Sequence, residues 1–426
     1  MADAHLPGFA PLGFTLTFLA ALILSTLLRL WLATRQVRHV ASHRSAVPAA
    51  FAERISLASH QRAADYSAAR VHLGILEMLA QAAWLIVLTL LGGLQFLIAL
   101  GALLPESLDW LRPVLLLVMV SMASALIDLP FSWWRQFRLE QRFGFNRMTP
   151  ALFVTDMVKG ALVMTLLGVP LAAAVLGLMD AAGPAWWLWA WCVWMGFNLA
   201  VLLVYPTLIA PLFNRFEPLD DPALRDRVLA LMQRCGFSAK DLFVMDGSKR
   251  SAHSNAYFTG FGRSKRVVFY DTLLARLSPA EVDAVLAHEL GHFRHRHVLK
   301  RMVSLFLFSL VGFALLGWLS NQPAFYLGLG VRPHIGEPND ALALLLFLMV
   351  APMFGLFVSP LFASASRRHE FEADAFAATQ TASADLRSAL LKLYEDNAST
   401  LTPDPLFVRF YYSHPPASQR LARMAH

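Results

Sequence analysis

Residues 288–292 read His-Glu-Leu-Gly-His. On a helix, positions 288 and 292 share a face one turn apart, so both imidazoles can reach a single Zn²⁺. Glu289 then projects beside the ion, where a carboxylate can handle the proton of a water. The bland alternative is an exposed helix face that happens to carry two histidines. It loses ground because a strong helix start lies just upstream. A tetrahedral zinc that keeps one position open needs a third protein ligand. Residues 366–377 read Ser-Arg-Arg-His-Glu-Phe-Glu-Ala-Asp-Ala-Phe-Ala. Glu370 and Asp374 are four apart and share a face, while Glu372 points off it. Alone, such a pair reads as an acidic helix surface. Beside His288 and His292 it reads as one carboxylate ligand and one carboxylate supporting a ligand. His295, His297 and His369 are read as surface or supporting residues, not ligands.

The elements that must hold these residues announce themselves locally. Ser278-Pro279-Ala280-Glu281 is a capping box with proline at the first helical position. Val282, Val285, Leu286, Leu290 and Phe293 continue from it at helical spacing. Further upstream, Asp220 and Asp221 before Pro222 start another helix that Gly236 can end. Short β-prone runs follow at Leu242–Met245, Ala256–Phe258 and Arg266–Tyr270, with a glycine turn (Gly260, Gly262) between the last two. Segment 214–301 is therefore expected to be a small α+β domain.

Around it the composition is not that of a soluble protein. Of 426 residues, 57% are hydrophobic and 15% charged, against about 45–50% and about 25% in soluble domains. Seven stretches suit a membrane-crossing helix of about 20 residues: 12–33, 78–104, 110–130, 160–179, 185–213, 302–322 and 341–364. The first lacks a basic n-region and a small-residue cleavage site, so it reads as an anchor and not a cleaved signal. Asp128, Asn198 and Asn214 should face protein or water, and Pro170, Pro206, Pro211 and Pro352 should interrupt spans. The expected division is 1–213 for five spans with their loops, 214–301 for the polar domain, 302–364 for two more spans, and 365–426 for a polar tail bearing the third ligand.

The net charge of +7 is a topology signal. Only Arg112 and Arg332 fall on the side opposite the odd-numbered loops, which places the N-terminus outside and the C-terminus in the cytosol. That is the inner membrane in a bacterium and the endoplasmic reticulum in a eukaryote. No nucleic-acid motif accompanies the charge, so a nucleic-acid partner is not expected. The partners are the bilayer and a peptide or protein, and no oligomer is required. Cys192 and Cys235 are read as packed thiols.

With these motifs in place, the chain resembles CAAX prenyl proteases of the Ste24 type, integral-membrane zinc metallopeptidases of family M48. The resemblance rests on the 288–292 and 367–377 motifs. Ser-Asn-Ala-Tyr-Phe at 254–258, Tyr-Pro-Thr-Leu-Ile-Ala-Pro-Leu-Phe-Asn at 205–214 and Ser-His-Pro-Pro at 413–416 support it. It implies a mainly α-helical, barrel-like bundle of about seven spans around a water-filled chamber, with a small cytosolic α+β metalloprotease domain. It further implies one Zn²⁺ held by His288, His292 and Glu370, with Glu289 as catalytic base and Asp374 orienting a ligand histidine. Asn255, His414 and Arg420 match positions near the substrate or the tetrahedral intermediate, with His414 in a catalytic role and Asn255 and Arg420 binding substrate. Read alone, these three are a strand start, a turn residue and a solvated charge.

The expected activity is endopeptidase hydrolysis by a zinc-activated water, with Glu289 as general base and then acid, on CAAX-type C-termini of prenylated or unlipidated peptides or proteins. Substrate would add as a strand along Ala256–Phe258. A quality-control protease of the HtpX kind is the nearest alternative. A transporter-like bundle with structural zinc is further off, because charges within spans are scarce and a four-ligand site is missing.

Overall fold

The computed structural model describes residues 10–259, 265–334 and 339–424; the expected turn at Gly260 and Gly262 lies outside them. Among the described residues, seven helical segments are long and apolar enough to cross a membrane: Pro11–Ser42, Leu57–Leu88, Glu106–Glu140, Pro150–Ala181, Gly183–Phe213, His297–Leu319 and Asp340–Gln380. They are called spans one to seven below. Their outward faces carry exposed leucines such as Leu16, Leu27, Leu126, Leu166 and Leu307, the surface that hydrocarbon would cover. Their inward faces meet in one apolar core that includes Leu88, Val120, Leu176, Ala190, Leu316 and Leu346.

Three sequence expectations need correction. The apolar stretch 78–104 is not one span. Span two starts at Leu57, capped by Ser56, and stops at Leu88, and a separate helix Gly93–Gly101 follows. Gly92 sits between them at φ +82°, a conformation that ends a helix at no Cβ cost. The polar loops 34–77 and 131–159 are also largely helical, being extensions of spans one to four beyond their apolar parts. Finally, Pro170 and Pro352 lie inside continuous helices; bundled neighbours let spans tolerate proline. Pro206 and Pro211 do coincide with changes, the π-helical turn Tyr205–Ile209 and the start of the short helix Ala210–Phe213 that follows it.

The polar groups in spans do find partners. Asp128 accepts from Gln81 Nε2 at 3.3 Å, Asn198 donates to the Trp194 carbonyl at 2.7 Å, and Asn214 accepts from Arg250 at 3.0 Å. Cys235 is buried, whereas Cys192 faces outward from span five.

The polar domain is built as its sequence signals require. Asp221 caps the helix Pro222–Arg234 by accepting from the Leu224 N–H, and Gly236 follows at φ +77°. Four strands form one sheet in the order β1-β2-β4-β3, with β1 Phe216–Pro218, β2 Ala239–Met245, β3 Ala256–Thr259 and β4 Lys265–Tyr270. β2 and β4 run parallel and the other pairs antiparallel. β3 pairs with β4 alone, so it is an edge strand.

The metal-motif helix Pro279–Arg294 packs between this sheet and the polar end of span seven. Val282, Leu286 and Leu290 are each no more than 2% exposed, a burial worth roughly 1.5–3 kcal/mol per side chain. Both halves of its capping box form. Glu281, the acidic member, also accepts from Lys392 and Ser388 at 2.7 Å each, which ties the helix to Ser383–Asp396.

Candidate metal centre

Gly291 decides how closely the motif helix can approach span seven. A Cβ built there would stand 2.9 Å from the Ala373 Cα and 3.1 Å from its carbonyl oxygen. A glycine facing a buried alanine therefore lets the two backbones nearly touch, bringing His288 and His292 against Glu370 and Asp374. Glu370 and Asp374 are four apart on span seven and both buried.

The result is a convergence of donors. His288 Nε2 and His292 Nε2 are 3.2 Å apart. Glu370 Oε2 lies 3.5 Å from His288 Nε2, and Glu370 Oε1 lies 3.4 Å from His292 Nε2. A tetrahedral zinc with bonds of about 2.0–2.1 Å places its ligand atoms about 3.3 Å from one another. The three side chains thus already have the spacing of a metal's ligands, and they form a cluster able to hold one. Glu370 Oε2 is buried without a hydrogen-bond partner, a costly state for a carboxylate oxygen unless a cation faces it.

Both imidazoles are held from behind. His288 Nδ1 lies 2.9 Å from Asp374 Oδ1. Asp374 in turn receives both Nε and Nη2 of Arg420. Arg420 is 7% exposed, and its other terminal nitrogen lies 4.0 Å from Glu370. On the other flank, His292 Nδ1 is 2.9 Å from His297 Nδ1, and His297 Nε2 is 2.8 Å from Glu372. With His292 Nε2 committed to the centre, its Nδ1–H donates to His297, and the His297 Nε2–H donates to Glu372. This places His297 in the supporting role that its sequence position left open, and Glu372 off the ligand face, bonded to it. The turn that does this is made at Arg296, a non-glycine residue at φ +55°. It reverses the chain between two helices and folds His297 back under His292.

The surrounding charges suit a cation. Burial, then the charge of His288, pushes His292 down to about 3, so it stays neutral as a ligand must. Burial opposes charge on His288 as well, yet bonds from Asp374 and Glu370 outweigh it and raise it to about 9, so the carboxylates favour a positive charge at His288 that a bound metal ion would replace. Burial raises Glu289 above the ordinary carboxylate range, which makes it a better proton acceptor.

Glu289 faces a cavity of about 970 Å³ that His288, Glu370, His414, Arg420 and Asn255 also line. His414 Nε2 lies 3.4 Å from a Glu370 oxygen, with most of its ring exposed. Asn255 immediately precedes edge strand β3, and its side chain accepts from the Ala256 N–H at 2.9 Å. All eight residues singled out in the sequence therefore meet at one place. The other walls of the cavity come from Arg29 and Gln36 of span one, Tyr66 and Arg70 of span two, and Tyr411 and Tyr412 near the C-terminus.

Residues 36–215 match a family described as CAAX prenyl protease N-terminal, five membrane helices, and residues 218–426 match peptidase family M48. The CAAX prenyl protease 1 homolog of Arabidopsis thaliana is 38% identical over 70% of this chain and 70% of its own. CAAX prenyl protease 1 of Saccharomyces cerevisiae is 35% identical over 72% of this chain and 70% of its own. The crystal structure of S. mikatae Ste24p superposes with a TM-score of 0.92 at 29% identity, covering 97% of this chain and 99% of that one. The chain belongs to peptidase family M48, among the membrane-spanning CAAX prenyl proteases of the Ste24 type.

Proposed function

We propose that this enzyme is a one-zinc endopeptidase that cleaves near the C-terminus of CAAX-type peptides or proteins, from an active site on the cytosolic side with the N-terminus outside. The observation that carries the reading is the 3.2–3.5 Å convergence of His288, His292 and Glu370, beside a cavity into which Glu289 opens. The two histidines and Glu370 would hold the ion. When bound, zinc acidifies a water and polarises the scissile carbonyl as a Lewis acid.

The chain's own groups supply the remainder. Glu289 takes the water's proton and returns it to the departing amine, a role its raised proton affinity suits. Asp374 and His297 fix the tautomers that leave each Nε2 facing the centre. His414 is placed to donate toward charge developing on the carbonyl oxygen. Arg420 bounds the same wall and, through its paired bonds, also holds Asp374 in register. A peptide laid against edge strand β3 would gain main-chain hydrogen bonds, with Asn255 at its start.

The test compares wild type with Glu289→Ala in detergent. Zinc content should be equal in both, while cleavage of a farnesylated CAAX peptide falls at least a thousandfold in the variant, on the order expected for loss of a general base. Equal turnover by the two forms refutes the mechanism. Wild-type preference for unlipidated over farnesylated peptide refutes prenyl-dependent processing.

A further inference from the structure

The cavity holds cations at some distance along its walls from the carboxylates of the metal centre, and the mechanism uses neither of them. Arg29 belongs to span one, where a charged side chain is costly and marks a functional group by default. Its Nε is buried without a hydrogen-bond partner, and among the described residues no carboxylate comes within ion-pair reach of it. Arg70, from span two, lies over the Tyr66 ring at 5.5 Å and likewise forms no ion pair among the described residues.

The anions in this region are already engaged. Glu140 accepts from Tyr66 at 2.7 Å, faces His253 at 3.5 Å and feels the charge of Arg70 without an ion-pair contact. Asp404 is paired with Arg35 and caps its own helix. Asp128 accepts from Gln81 in a second cavity of about 260 Å³, which Arg29 also borders.

Both cations lie close to the strand of chain that delivers His414. Burial raises the phenols of Tyr411 and Tyr412, and the positive charges of Arg29 and Arg70 respectively oppose that shift. One continuous cavity therefore has a metal-binding end rich in carboxylates and a wall with two guanidinium groups that form no ion pair among the described residues. Guanidinium is the group that grips a carboxylate through two parallel bonds. The three residues that follow a CAAX cleavage site span at most about 10 Å when extended and end in a free carboxylate.

We propose that Arg29 and Arg70 form the subsite for the substrate's terminal carboxylate. The inference rests on the C-terminal processing reading above, and it specifies how a chain end is told from an internal segment. The experiment uses zinc-loaded full-length enzyme in detergent and two farnesylated CAAX peptides of identical sequence, one ending in carboxylate and one in carboxamide. The readout is the ratio of kcat/KM for acid over amide, so any general loss of activity in a variant cancels.

Wild type should favour the acid by about tenfold or more, the scale of a charge-assisted hydrogen bond. Arg29→Gln and Arg70→Gln should each lower the ratio several-fold, the double variant should bring it to about one, and Arg29→Lys should restore part of it. A wild-type ratio near one with both peptides cut overturns the subsite and leaves C-terminal processing standing. A double variant that keeps the wild-type ratio also overturns it. If neither peptide is cut while an unfolded protein such as casein is, the C-terminal reading fails and the subsite fails with it.

Discussion

The two flanks of the metal centre solve one problem by different means. Behind His288 stand Asp374 and Arg420, both buried and joined by two hydrogen bonds. Behind His292 stands His297, 1% exposed, and then Glu372, whose side chain is 44% exposed and lies within 3.9 Å of Lys300. The inner flank is a sealed charge network in which removing one member strands another. The outer flank runs from a neutral ring to a carboxylate that water can solvate. A ligand backed by a buried charge pair should be far less tolerant of substitution than one backed by a solvated carboxylate.

Zinc affinity, measured by competition with a chelator, ranks four variants against that difference. Asp374→Asn should have the largest effect. It leaves Arg420 buried without its counter-charge and weakens the hold on His288, so affinity should drop about 10–100-fold with a clear loss of thermal stability.

Gly291→Ala comes next. The added carbon meets the Ala373 backbone at 2.9 Å, and the resulting overpacking should cost about 1–3 kcal/mol, more than alanine's helical advantage of about 1 kcal/mol. It should spread both flanks together; a variant that weakens only one would break the comparison.

Glu372→Gln should reduce affinity less than tenfold, because a solvated hydrogen-bond partner is worth about 1 kcal/mol, and high salt should shrink the gap from wild type. An effect equal to that of Asp374→Asn would erase the distinction.

Glu281→Gln sits outside both flanks and should leave zinc affinity unchanged while lowering Tm. Burial works against the charged form of Glu281, but bonds from Lys392, Ser388 and the Ser278 N–H outweigh it and hold it at about 2. The stabilisation is therefore present above pH 4.5 and fades as pH falls from there toward 2, amounting to something on the order of 2 kcal/mol. Tm of wild type and variant should accordingly converge in acid.

What the sequence made legible follows the range of the interactions involved. The capping box at Ser278, the motif two and a half turns later, and the Glu370–Asp374 pair are all local patterns, and each is formed in the fold. His297 was harder to place. Its role depends on one left-handed residue between two helices, and arginine at that position gives no warning, as glycine would have. The end of span two turned on Gly92 interrupting an apolar run whose hydropathy alone continued to residue 104. Arg29, the Tyr66–Arg70 pair one turn apart on span two, and Tyr412 come from three distant places in the chain, and no spacing rule connects the three. The walls of the cavity therefore emerged only with the tertiary structure, while its reactive end was already readable.

Span seven runs without a break from Asp340 to Gln380, carrying the apolar segment at one end and Glu370 and Asp374 at the other. At 1.5 Å per residue, its 41 residues make a rod about 60 Å long. Pro352 and Pro360 are the points along it where bending costs least. The apolar anchor and the proposed third metal ligand, Glu370, thus share one lever. On that reading, a membrane thick or thin enough to change the tilt of the helix should also shift the Glu370 carboxylate.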